Sequence, residues 1–226
     1  MSASHIPNQR GRPMKALLRK RPDQRWYAQT MQDQEFASLL EAMRDGYIAH
    51  LIEIARLQRS EKAEIVTELA LRLNGESADE RLLLVRVDMA WKENEEACLA
   101  NAELNPLGGQ DASVPASFVH DEYVVTVLPF RWHACLVTLR PAPQFWEPIW
   151  SWFEHWFDVE ETRPPDPDGL TGVVHRLSLH QGREACQIEI DFGSAPVAAV
   201  VGLLNACAAA GSASVRLADA VGPETT

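Results

Sequence analysis

His133 and Cys135 are the residues of this 226-residue chain whose types and spacing come nearest to chemistry. Two positions apart on an extended strand, they face the same way, and an imidazole beside a thiol can act as base and nucleophile. No third partner and no oxyanion donor accompanies them, so the pair reads as strand residues of a core. His175 and His180 lie around a second hairpin, and an enzyme centred on Cys135 or His175 ranks third among the readings. Glu95-Glu96 and Glu160-Glu161 are sequence neighbours that do not converge on one face. They read as solvated charge rather than as an acid/base pair, and His155 reads as solvated too.

Two short motifs resemble metal-binding loops. Asp191-Phe192-Gly193 spells the metal-binding triplet of protein kinases, without the glycine-rich loop, H-R-D or strand lysine that accompany it there. It reads as a strand end leading into a helix cap. Asp166-Pro167-Asp168-Gly169 echoes the start of a calcium loop, but the glycine comes too early and Leu177 stands where the twelfth-position glutamate belongs. It reads as a Pro-Asp-Gly turn. The expectation is a non-enzymatic protein with no metal site and no cofactor.

Charge points to a partner class. The chain carries −11 overall, yet residues 1–25 hold seven basic residues against Asp23 alone, a balance of +6 that leaves −17 on the rest. An acidic body should repel nucleic acid and attract cationic partners. The acids expected to face outward in the C-terminal half are Glu147, Glu154, Asp158, Glu189 and Asp191. The leading expectation is a binding protein with a basic protein partner. A concrete form is an acidic inhibitor of the immunity-protein kind, an analogy resting on small, acidic α+β character. The competing expectation is a nucleic-acid-associated or regulatory protein acting through Arg19, Lys20 and Arg21 of the arm and through the helices. Cys98, Cys135, Cys186 and Cys207 are widely spaced, as in a reduced cytoplasmic protein. No apolar run approaches the ~20 residues that span a bilayer, and the N-terminal stretch has no apolar core of a secretory signal.

The element that must organise the fold is Phe145–Phe157, FWEPIWSWFEHWF, which holds four of seven tryptophans and three of seven phenylalanines. At helical period Trp146, Ile149, Trp150, Phe153, Trp156 and Phe157 share one arc, with Phe145 and Trp152 at its edge and the polar residues opposite. So broad an apolar face calls for a sheet beneath it. The expected fold class is α+β. A basic arm (1–25) precedes a module of three helices (26–104), the second over Ser60–Leu73 and the third from the Ser77/Glu80 capping box to Ala102, with a strand at 82–87 as the alternative. A linker (105–117) leads to a mixed-sheet domain (118–220) and a short tail (221–226). That domain reads as two hairpin–helix–strand units with both helices on one face: strands 122–128 and 132–139, the aromatic helix and a strand at 159–162; then strands 173–179 and 185–192, a helix capped by Ser194, and a strand at 214–217. The first helix is aromatic and the second rich in alanine and valine, so large should pack on small.

Overall fold

Apolar residues at three- and four-residue steps build the first element. In a computed structural model, which describes residues 23–62, 64–77, 79–94, 96–102, 116–120, 123–181 and 185–220 (backbone alone for 23–34, 116, 118–120 and 181), helix α1 runs over Asp23–Glu61. Phe36, Leu40, Met43, Tyr47, Leu51 and Ala55 form its buried stripe. At 1.5 Å per residue the helix is about 58 Å long, and it packs against α3 and β1. Most of the basic arm, including Arg19, Lys20 and Arg21, lies outside the described residues. So do 103–104 at the end of the expected helical module, 105–115 of the expected linker and the tail at 221–226.

The chain then folds as strands β1 (Ile65–Arg72), β2 (Leu84–Glu93), β3 (Glu96–Ala100), β4 (Ala116–His120), β5 (Tyr123–Val127) and β6 (Cys135–Arg140), helix α2 (Glu147–Phe157), strands β7 (Arg176–Gln181) and β8 (Cys186–Asp191), helix α3 (Val197–Ala209) and strand β9 (Ser214–Asp219). All nine strands join one mixed sheet in the order β1-β2-β7-β8-β6-β9-β5-β4, with β3 on β2. The α+β class with an N-terminal helix is therefore what the sequence builds. The second and third expected helices are not: Ser60–Leu73 holds β1, and the stretch to Ala102 is a 3-10 turn at Glu80–Leu83 followed by β2 and β3. Ser77 and Glu80 form no capping box there. Asp79 caps the turn by accepting from the Arg81 amide at 3.0 Å.

At the centre of the sheet, β6–α2–β7–β8–α3–β9 takes the order β7-β8-β6-β9, the split β-α-β arrangement. Antiparallel registers run Leu177–Ile190 across β7/β8, Val137–Ile188 across β6/β8 and Val137–Leu217 across β6/β9. The repeated unit is thus strand–helix–strand. A leading hairpin exists only in the second half, because β5 does not pair with β6. It pairs parallel with β9, which lies between them, and antiparallel with β4. Residues 132–134 are a buried connection rather than strand, with Trp132 packed on Phe192 at 5.0 Å between ring centres.

Helix α2 forms where the aromatic arc requires it, with Pro148 in the first turn, where a missing amide costs nothing. Ile149, Trp150, Phe153 and Phe157 are buried, while Phe145 is exposed. Trp152, expected at the edge, is buried too, and its Nε1 donates to Ala199 O at 2.8 Å, which satisfies the polar end of the ring. Beside it lies Gly202 of α3, where an added Cβ would stand 3.3 Å from the Trp152 ring, so large does pack on small. Residues 159–162 are not a strand. Asp158 ends α2 in the left-handed conformation, φ 54°, and its carboxylate accepts from the Thr162 and Arg163 amides. Nor does Ser194 cap α3. Its hydroxyl accepts from the Gly172 and Val173 amides, and Pro196 occupies the cap position.

Candidate functional site

The β1–β2–β3 meander meets the split β-α-β core through the Val85–Arg176 pair and the bond from Arg86 N to His175 O, 2.8 Å. Four charged or titratable side chains close on that seam. Glu68 of β1, Asp88 of β2 and His175, just before β7, are each at most 2% exposed, and Tyr47 of α1 is fully buried. His175 Nε2 lies 2.9 Å from Glu68 Oε1 and Nδ1 lies 2.9 Å from Asp88 Oδ1, so the imidazole is held between two carboxylates. Tyr47 OH donates to Asp88 Oδ1 at 3.0 Å, and the Ala102 amide donates to Asp88 Oδ2. Glu68 Oε2 accepts from the Thr171 amide and hydroxyl.

Backbone geometry serves this cluster. Glu68 has φ 54°, a strained conformation for a non-glycine residue in a strand. Its carbonyl accepts from Arg86 Nη1 at 2.7 Å. The remaining Arg86 nitrogens donate to Phe157 O and Asp158 O, the end of α2. Gly193 adopts φ 49°, and a Cβ there would stand 2.2 Å from His175 Cδ2. The Asp-Phe-Gly triplet is therefore a tight turn around the histidine: Asp191 Oδ1 accepts from the Gly193 amide and Phe192 packs on Trp132. Gly193→Ala is expected to destabilise the fold. The left-handed conformation alone costs a side chain about 1–2 kcal/mol, and the collision adds to it. Urea unfolding measures the loss.

Electrostatics follow from enclosure. Burial opposes charge on His175, but Asp88, Glu68 and Asp191 outweigh it and hold the imidazole well above its ordinary 6.5, as a cation. Burial likewise opposes charge on Glu68, but the His175, Ser194 and Thr171 hydrogen bonds and the His175 charge bring it down to about 2. Asp191 is raised to about 6, first by desolvation, against the pull of the His175 charge and with the repulsion of Asp88. Burial, then Asp191 and Asp88, push the Tyr47 phenol up. This is an ion cluster closed in by burial, with Glu68, Asp88 and His175 each at most 2% exposed.

The other candidates disperse. Cys135 is fully buried and burial pushes its thiol up, the environment of a core thiol rather than of an activated one. His133 lies outside β6 and stacks on Tyr47 at 5.5 Å. Asp166 Oδ1 accepts from the 168 and 170 amides, the turn expected of Pro-Asp-Gly. Among the described residues no group of three His, Cys, Asp or Glu side chains is arranged to hold a metal. Comparison with known proteins finds no matching family model, no matching curated protein and no matching solved structure.

Of the five acids expected outward, Glu147 and Glu154 are exposed, and Glu154 pairs with Arg81 Nη1 at 3.0 Å. Glu189 is half-buried between Arg176 and His180. Asp158 is buried, because it closes the turn after α2, and Asp191 is drawn into the His175 cluster. These two are corrections to the outward set. Outside the sealed cluster a cleft of about 570 Å³ opens at the C-terminal end of α2, lined by Arg72, Glu80, Arg81, Glu154, His155 and Glu160 among others. Arg81 is spent within it, bonded to Asp79 and Glu154 and stacked on the Trp150 ring at 4.5 Å. Arg72 pairs with Glu80 at 3.0 Å.

The sequence did carry one sign of the cluster. Arg86 and Asp88 stand inside the apolar run LLLVRVDMAW, and charged residues in a buried strand must find partners. Nothing local names those partners, since Glu68 and His175 are 107 residues apart.

Proposed function

We propose that the protein is a non-enzymatic binding protein that uses an acidic surface to recognise a basic protein partner. The observation that carries this reading is that the buried set of titratable groups at the seam, Glu68, Asp88 and His175, is sealed from solvent, while exposed acids stand on α2 and the turn after it. The working surface is centred on Glu147, Glu154 and Glu160, the last two at the cleft. Its cations Arg72 and Arg81 are already paired with acids, which leaves the negative charge of Glu160 to a guest. An inhibitor of the immunity-protein kind is one form such a protein takes, and the free cysteines accord with work in a reducing cytoplasm. No helix among the described residues is long and apolar enough to cross a membrane.

Reversing all three charges, Glu147→Lys with Glu154→Lys and Glu160→Lys, is expected to slow association and flatten its salt dependence. Glu147 and Glu160 should each change stability by no more than ~0.5 kcal/mol, and Glu154, which loses its pair with Arg81, by about 1 kcal/mol. The test is capture of basic proteins at low and high salt by the parent and the reversed chain, followed by binding kinetics with the captured protein. Equal capture by both chains would contradict the reading. So would nucleic-acid binding in a mobility-shift assay that disappears when residues 1–22 are deleted, the result expected if Arg19, Lys20 and Arg21 are the contact.

A further inference from the structure

The meander β1–β2–β3 has a thin backbone connection to the core. β2 meets β7 through the Val85–Arg176 pair, whereas β7, β8, β6 and β9 are joined by continuous registers. Across that thin seam lies the densest set of buried charge among the described residues. We propose that the His175 ion cluster is a proton-dependent latch: the imidazolium clamps the meander to the split β-α-β core, and loss of its proton releases the meander while the core stays folded.

The argument is one of charge count and position. Glu68 comes from β1 and Asp88 from β2, both on the meander side, and His175 comes from the core side. Every ionic contact of the imidazole to those acids therefore crosses the seam. Asp191 of β8 faces His175 from the core. Tyr47 of α1, Thr171 and Ser194 contribute hydrogen bonds without charge. The other cations nearby are Arg86 of β2, whose donors are committed to the carbonyls of Glu68, Phe157 and Asp158 and which lies 3.7 Å from Glu161, and Arg176 of β7, which attracts Asp191 and pairs with Glu189 at 3.0 Å. Once His175 is neutral, Glu68 and Asp88 lose the cation that lies within 2.9 Å of both, leaving only Arg86 and Arg176 to offset their repulsion with Asp191. Carboxylates that share a site without a cation repel, and the seam is where that repulsion is relieved. Opening of a local unit below the global unfolding limit is ordinary behaviour of proteins.

Amide hydrogen exchange of the full chain, followed from pH 6 to pH 10 and corrected for the intrinsic base-catalysed rate, reads the latch by segment. The expected result is that β1 and β2 amides lose protection by about tenfold per pH unit from the ordinary imidazole value of 6.5, where a released His175 gives up its proton, up to the higher pH where the clamped His175 does, and level off beyond it, while β6, β8 and β9 hold theirs. Asp88→Asn keeps the side-chain shape and removes one of the carboxylates that retain the proton, so the levelling-off should move to lower pH. Should that variant fail to fold, the parent chain suffices: the levelling-off must coincide with the titration of His175 followed by side-chain NMR. Loss of protection in meander and core together, a levelling-off unmoved in Asp88→Asn, or one that does not track His175 would each overturn the latch. This test involves no partner, so its outcome is independent of the binding surface proposed above.

Discussion

Replacing His175 with alanine is expected to cost about 3–5 kcal/mol, the range for removing one member of a buried ion pair and stranding its partner. Here two carboxylates are stranded, Glu68 and Asp88, each at most 2% exposed. A loss of that size is a large share of the 5–15 kcal/mol that holds a typical domain, so the variant should unfold at much lower urea. The parent's pH profile should show the same groups. A cation whose folded pKa is raised, His175, contributes fully below its ordinary 6.5 and its contribution fades as pH climbs through the folded value. An acid held down, Glu68, contributes fully above its ordinary 4.5 and loses that contribution as pH falls toward about 2. Asp191, raised to about 6, costs stability as pH rises from 3.8 through that value. The cluster therefore stabilises most in the mildly acidic range, between the loss of Glu68 and the ionisation of Asp191. Urea midpoints measured across pH should peak there, and His175→Ala should flatten the alkaline side.

The second large effect concerns α2. Phe153 is wholly buried, and Phe153→Ala should cost about 3–5 kcal/mol through lost transfer energy and the cavity left behind. Trp150 is 7% exposed, with the Arg81 guanidinium over its ring, and should fall in the same range. Equilibrium urea unfolding checks both. A loss below ~1 kcal/mol at Trp150 would mean that the aromatic arc does not carry the core.

The parts of the fold that could be read from sequence are those where one residue period dominates. In α2 the apolar and polar residues separate on a helix. In β8 Cys186, Ile188 and Ile190 are buried and alternate with Gln187, Glu189 and Asp191. β1 misled because its burial does not alternate cleanly, and its apolar spacing fits a helix as well as a strand. β2 misled because residues 86–90 are buried on both faces, which erases the period. The parallel pairing of β5 with β9 joins Val125 to Val215, and no local pattern encodes a partner so distant. The site was harder still. Arg86 and Asp88 stand out as charges in an apolar run, yet Glu68 falls within Ser60–Leu73, the stretch expected to be the second helix. His175 looked like a hairpin residue until the tertiary fold placed the two 2.9 Å apart. Of the outward acids, Asp158 and Asp191 sit at the ends of their elements, where the chain turns and the simple face assignment fails.

Nitrogen-15 NMR of the His175 side chain across pH 5 to 9 tests most directly whether the cluster is a sealed structural ion pair rather than a working acid/base centre. The account predicts that both ring nitrogens stay protonated through neutral pH and past the ordinary 6.5, with the signal unaffected by small solutes. A single neutral tautomer at pH 7 that titrates near 6.5, the behaviour of a histidine open to solvent and poised for proton transfer, would contradict it and return His175 to the list of catalytic candidates.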